Sequence, residues 1–351
     1  MSTAESGSTK GSRLASPRVL GAAAVVAIGA AILLAVLLWP QPSQVLIVFP
    51  RRSLLFAGHM GVVLQNTDIL AQNGIQARFE APESREDLAL LAEQADVVFT
   101  DESHALRLSA RGDGTSIVAN LGSAGRLGIV VPSGAEISSV QELRGARVAT
   151  TKGTPAHRFL IEQTRAAGLT ADDWQLVPAD RNDQATSSAA DAASLWDPEF
   201  FSTEAQETAK ALATSELFAT VVFSERLTGR HRDVGLAVLT AIKQAFHYLN
   251  EDPRQAAIWL AGDSGKPAAR TQHACMQVNG NFARRRFISL VLSPELPSLR
   301  TTLEADNAFL VELGYLDQPA NLDEIIQGSL MDQVDITAQP LTVIRAATKA
   351  E

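Results

Sequence analysis

Between Glu142 and Trp174 the sequence ELRGARVATTKGTPAHRFLIEQTRAAGLTADDW admits little besides a strand, a turn, a helix and the approach to a second strand. Arg147 to Thr151 is a short run, long enough for a buried strand, and it stops at Gly153. Thr154 then stands where a helix N-cap belongs, and Pro155 stands at the first helical position, where its missing N–H is no loss. Apolar positions recur at helical spacing from Phe159 and Leu160 until Gly168 ends the helix, and Trp174 to Val177 supplies the next strand. The unit is βαβ. Its turn joins a glycine that lets a ligand approach the backbone to a helix N-terminus whose free N–H groups suit an anion. The same turn also serves as an ordinary strand-to-helix connection, so one copy decides nothing about function.

The rest of the chain repeats the alternation. Val45 to Phe49 reads as a strand, Leu54 to Gln72 as a helix ending at Asn73-Gly74, and Ile75 to Phe79 as a strand. Arg85 to Glu93 is helical, Asp96 to Thr100 a strand, Ser103 to Ala110 a helix closed by Gly112, and Ser116 to Leu121 a strand. This β-α-β-α-β-α-β order implies a largely parallel sheet covered by helices. Leu127 to Val131 begins a second α/β lobe, Thr220 to Ser224 is the strand expected to return to the first, and the chain from Arg232 onward reads as mainly helical.

The amino end is different. Met1 to Arg18 is polar and carries Lys10, Arg13 and Arg18 against Glu5, whereas Val19 to Trp39 contains neither charge nor proline. Such a run, at about 1.5 Å per residue, spans about 31 Å and matches a bilayer's hydrocarbon core. The basic residues precede it, so a cytoplasmic tail and an extracytoplasmic main body are expected, with Pro40-Gln41-Pro42-Ser43 as linker. A cleavable signal peptide is the competing reading, although no A-x-A cleavage pattern follows.

Composition excludes several classes. Hydrophobic residues at 46% and charged residues at 20% describe a globular chain, and a net charge of −9 argues against nucleic acid as a partner. A single cysteine, Cys275, excludes an intrachain disulfide framework and a cysteine-rich zinc site. His59, His104 and His157 fall near expected ligand-side turns, yet no H-E-x-x-H pattern and no G-x-S-x-G elbow is present, so no catalytic residue, metal or cofactor is expected.

In open parallel sheets ligands sit beyond the carboxyl ends of strands. Here that means Arg51 to Ser53, Asp101 to Ser103, Gly122 to Ala124, and Gly153 to His157. Ser53, Ser103, Ser123 and Thr154 offer hydroxyls, Gly153 offers backbone N–H, and Arg51 offers a fork for a carboxylate or sulfonate or a basic surface near the membrane. Asp101 and Glu102 suit the amine end of a zwitterion or, alternatively, the capping of a helix. The triplet Arg284-Arg285-Arg286 is a solvated face or a docking patch.

The segments VQELRGARVATTKGTPAHRFLIEQTRAAGLTADDWQLV, AADAASLWDP, LTAIKQAFHYLNEDPRQAAIWLA and FLVELGYLDQPANLDEII, in that order, resemble the signature segments of the solute-binding proteins of ABC importers. The nitrate, sulfonate and taurine group, which includes binders of thiamine-precursor pyrimidines, is the nearest branch, and the resemblance runs from about residue 44 to 335. It implies a two-lobed periplasmic-binding-protein type 2 fold with a hinge, closing on a small organic anion or zwitterion that an ABC importer permease then receives. It also implies that Gly153 and Thr154 contact the ligand and that Trp196 and Asp197 line the cleft, with lobe packing as the other role open to Trp196. The phrase Ser188-Ala189-Ala190-Asp191-Ala192 departs from the family's G-x-V-D-A by losing the glycine. The expected organisation is a cytoplasmic tail at 1–18, a transmembrane anchor at 19–39, a linker at 40–43, one lobe from 44–124 with 222–345, and the other from 125–221. The other function in view is an interaction module that has lost its ligand and contacts a membrane partner.

Overall fold

The computed structural model describes residues 43–50, 55–82, 85–179, 190–197, 199–200, 203, 207–264 and 292–334. Arg51, Ser53, the Val19–Trp39 run and Arg284-Arg285-Arg286 lie outside the described residues, as do Cys275 and the side chain of Ser123. Among the described residues no helix is long and apolar enough to cross a membrane.

One mixed sheet runs in the order β2-β1-β3-β8-β4-β7-β5-β6. Its strands are β1 Ser43–Val48, β2 Ile75–Glu80, β3 Val97–Asp101, β4 Ser116–Pro132, β5 Arg147–Thr150, β6 Gln175–Pro178, β7 Ala192–Trp196 and β8 Ala209–Phe223. The helices that matter here are α1 Leu55–Asn66, α2 Arg85–Ala92, α3 Glu102–Ser109, α4 Pro155–Ala166, α5 Arg232–Glu251, α6 Pro253–Ser264 and α7 Pro297–Glu312. Strands β3 and β7 are buried along their whole length, as expected of short apolar runs covered on both faces.

Two strands depart from the sequence expectation. The separate strands expected at Ser116 to Leu121 and Leu127 to Val131 are one 17-residue strand, and the expected turn at Gly122 to Ala124 lies inside it. The glycine does not reverse the chain. Gly122 takes φ +89, its N–H donates to the Asn120 side chain at 2.8 Å, and the register against β8 shifts at Asn120/Gly122 and again at Ser123/Gly125. The extra residues are absorbed as bulges, which bend a strand without ending it. Likewise the returning strand expected at Thr220 to Ser224 begins eleven residues earlier, at Ala209. Its first half alternates poorly and is partly exposed, so it lacks the apolar pattern that marks a strand. The helix expected from Leu54 to Gln72 breaks after Asn66, and a short turn of helix resumes at Ile69.

The sheet is parallel only within its two flanks. Strands β2, β1 and β3 are parallel to one another, and so are β6, β5 and β7. Between them β8 runs antiparallel to β3 and to β4, and β4 runs antiparallel to β7. The two parallel sets therefore run in opposite directions, and the carboxyl ends of both point at the middle of β4. At the end of β3, Asp101 pairs with Ala219, which also pairs with Gly122; at the end of β7, Trp196 pairs with Leu127. Only Gly122 to Leu127 separates the two sets of strand ends, a stretch of about 17 Å at 3.3 to 3.4 Å per residue.

Candidate functional site

Each flank delivers a helix start to that middle stretch, and the local sequence explains both. Asp101 caps α3 by accepting the His104 N–H at 2.8 Å. Thr154 caps α4, accepting the His157 N–H at 3.2 Å while donating its own hydroxyl hydrogen to the Thr151 carbonyl at 2.6 Å, and Pro155 occupies the first turn as the sequence predicts. Gly153 takes φ +65, a conformation that side chains resist, and its N–H donates to His157 Nδ1 at 3.3 Å. Strand β7 braces the α4 start: the Ser194 hydroxyl donates to the Ala156 carbonyl at 2.8 Å, and the Thr150 hydroxyl donates to the Ser194 carbonyl at 3.0 Å.

The structure brings Asp101, Ser103, Gly153, Thr154 and His157 to one corner, and the residue that joins them comes from far along the chain. Asp306 of α7 accepts a hydrogen bond from the Ser103 hydroxyl at 2.8 Å and pairs with Arg158 Nε at 2.7 Å. Arg158 also lies 3.7 Å from Glu102 and donates to Glu162 at 2.8 Å. Glu102, Ser103 and Asp306 are completely buried. Burial, then the charge of Asp306, pushes the Glu102 carboxyl well above the ordinary range, with Arg158 pulling the other way. Burial likewise raises Asp306 to about 6 despite Arg158. His157 is held down to about 4, first by burial and then by the Lys152 charge, so its ring is neutral at physiological pH. Burial alone lowers His59, inside α1, to about 3.

Trp196 and Asp197 lie on the other side of the middle stretch. Trp196 is buried in the main core. Asp197 is buried, accepts the Arg126 backbone N–H at 2.9 Å and sits 3.5 Å from the Arg126 guanidinium, which in turn covers the Phe200 ring at 4.6 Å. A separate cavity of about 220 Å³, lined by Leu108, Arg111, Val222 and Arg226 among others, lies by the opposite end of β3. Among the described residues no group of three His, Cys, Asp or Glu side chains is arranged to hold a metal ion.

Sequence reading singled out neither Arg158 nor Asp306. A signal for Asp306 does exist: Leu299, Leu303, Asp306 and Leu310 are buried at helical spacing, so a carboxylate stands in an otherwise apolar stripe. Tyr315 was also missed. Its ring packs over Gly153, where an added Cβ would stand 2.7 Å from it, and Arg107 covers its face at 4.9 Å.

Comparison with known proteins places this geometry in context. The family model described as NMT1/THI5 like matches residues 59–256, more than half of the chain. A curated relative in Escherichia coli (strain K12), named for binding aliphatic sulfonates, is 37% identical over 73 residues, which is 20% of this chain and spans only 23% of that protein. The solved structure of the alkanesulfonate-binding protein SsuA from Xanthomonas axonopodis pv. citri, bound to MOPS, superposes with a TM-score of 0.63 at 19% identity, covering 82% of this chain and 99% of that one. The desulfurization enzyme DszB superposes with a TM-score of 0.60 at 14% identity, covering 83% and 98%. These likenesses show a shared periplasmic-binding-protein-like α/β fold, which carries both binders and an enzyme.

Proposed function

Because the chain belongs to the NMT1/THI5-like family, we propose that it is a solute-binding protein that captures a small organic anion or zwitterion of the sulfonate, taurine or nitrate kind and presents it to an ABC importer. The observation that carries this reading is the opposed direction of the two parallel strand sets, whose carboxyl ends converge on Gly122 to Leu127. On this reading the flanks of the sheet are the lobes, 44–124 with 222–345 and 125–221, and β4 and β8 are the hinge. The solute's anionic group meets the α4 start at Gly153 and Thr154, where backbone N–H groups and the helix dipole replace its water. Arg51, Ser53, Asp101, Ser103, Ser123, His157, Trp196 and Asp197 complete the proposed ligand-binding set. The Val19–Trp39 run anchors the protein in the cytoplasmic membrane with its body outside, which concentrates it beside the permease. Binding, not catalysis, is the assigned role.

The experiment is a thermal-shift series on the full chain with MOPS, taurine, alkanesulfonates and nitrate. A ligand that binds only the folded state adds about 2.7 kcal/mol at 100 times its dissociation constant, so a true solute raises Tm in a concentration-dependent way. A folded protein that responds to none of them favours the second reading, an interaction module without solute. A specific observation supports that alternative: the Ser103 and Thr154 hydroxyls are already bonded within the chain, and Tyr315 covers Gly153.

A further inference from the structure

Helix α7 touches the starts of two helices that belong to different flanks of the sheet. Asp306 lies between Ser103 of α3 and Arg158 of α4. One turn on, Phe309 meets the His157 ring edge-on at 5.3 Å; Glu312 then pairs with Arg165, and Tyr315, just past the helix, lies over Gly153. Phe309, Glu312 and Tyr315 continue the contact with the α4 side, while the apolar residues Leu299, Leu303 and Leu310 bury in the core that contains α3 residues Leu106 and Leu108, and Arg107 of α3 covers the Tyr315 ring. The helix is thus a strap fixed to one flank and hooked onto the other.

The hook is a charge cluster that does not balance. Two fully buried carboxyls, Glu102 and Asp306, face the Arg158 guanidinium, with Asp101 beside them and Glu162 taking a further share of the same arginine. Asp306 receives the Ser103 hydroxyl and the close guanidinium contact, which favour its ionised form. Among the described residues no other residue donates a hydrogen bond to the Glu102 carboxyl, which has only its own backbone N–H nearby, and its guanidinium neighbour is 3.7 Å away. A carboxyl in that setting is far cheaper to bury protonated than ionised.

We propose that α7 is a strap across the two flanks and that Glu102, Arg158 and Asp306 are its proton-held catch: closed with Glu102 protonated, opened with that proton released to water. The titratable groups around Glu102 are Asp101 and His104 on its own element, His157, Arg158 and Glu162 on α4, and Asp306 on α7. Asp306 is raised only to about 6 and His157 lowered to about 4, so above neutral pH neither changes charge when the catch opens, which leaves Glu102, raised by burial and by the Asp306 charge, to carry the proton of the catch. The sign follows from its raised value in the closed state. The contribution of Glu102 to closure is fully present below its ordinary carboxylate value and is lost as pH rises toward the raised one, so opening increases with pH, by up to about tenfold per unit.

The test is amide hydrogen exchange of the full chain at about pH 7 and about pH 8, corrected for the intrinsic exchange rate. Protection of α7 amides should fall by up to about tenfold over that unit, while β1 amides keep theirs, and in Glu102→Gln the α7 slope should vanish. A flat α7 response in the wild type, a Glu102→Gln protein with the wild-type slope, or a slope shared by β1, which means global unfolding, each overturns the proposal. If Glu102→Gln does not fold, wild-type protein labelled with ¹³C at glutamate carboxyl carbons is titrated instead. One glutamate still protonated at neutral pH supports the catch, and a full set ionised by then overturns it.

Discussion

The starts of α3 and α4 are built on one plan. In each, a cap side chain, Asp101 or Thr154, accepts the backbone N–H of a histidine three residues on, His104 or His157, and the histidine ring reaches back to the residue before the cap. His104 Nδ1 lies 2.9 Å from the Thr100 hydroxyl, and His157 Nδ1 accepts the Gly153 N–H at 3.3 Å. The charges are opposite. Helix α3 begins with the acidic residues Asp101 and Glu102 at its positive dipole end, whereas α4 begins with Thr154, Pro155 and Ala156 and then adds Arg158. The difference teaches that one local plan for a helix start can carry acidic side chains in one copy and none in its counterpart, by sequence alone. Of the two, the α4 start is the one the proposed solute site uses, and the acidic α3 start faces Arg158.

The largest blow to this contrast is Arg158→Met, which removes the cation and leaves the buried Asp306 with only the Ser103 hydroxyl. Unfolding by denaturant should show a loss of about 3 to 5 kcal/mol, and adding Asp306→Asn should restore a large part of it. A double variant no more stable than the single one would mean that the cost does not come from the uncompensated carboxylate. Next is Gly153→Ala, which forces a side chain into φ +65 and against the Tyr315 ring. A cost of about 1 to 3 kcal/mol is expected, with little change if Tyr315→Ala is added, because the backbone conformation carries most of the strain. The smallest effect sharpens the comparison of caps. Thr154→Ala should cost about 1 kcal/mol and Thr154→Ser almost none, since only the hydroxyl is needed to receive the His157 N–H. Equal losses from both would point to the methyl group's packing instead.

Much of this was legible in the sequence because it depends on neighbours in the chain. The α4 cap, its first-turn proline, the strand that precedes it and the βαβ alternation follow from residues a few positions apart, and each is found where the pattern puts it. The strands β4 and β8 were read too short for a physical reason. Glycines at Gly122 and Gly125 signal a turn in sequence, yet a strand paired along its length with β8 absorbs them as bulges. The candidate site divides the same way. Thr154 and Asp101 were recognisable as caps from local spacing, whereas Ser103 gave no sign that its hydroxyl would be committed to a carboxylate 203 positions away.

The sequence by itself determined the class of the chain, its alternating elements, both helix starts and the family to which it belongs, because caps, turns and hydrophobic period act over a few residues. Only the tertiary structure decided which way the two strand sets face, that their ends meet at the middle of β4, and that α7 brings Asp306 to Arg158. Strand order and a buried charge's partner are set by packing between segments far apart in the chain, where no local preference records the choice.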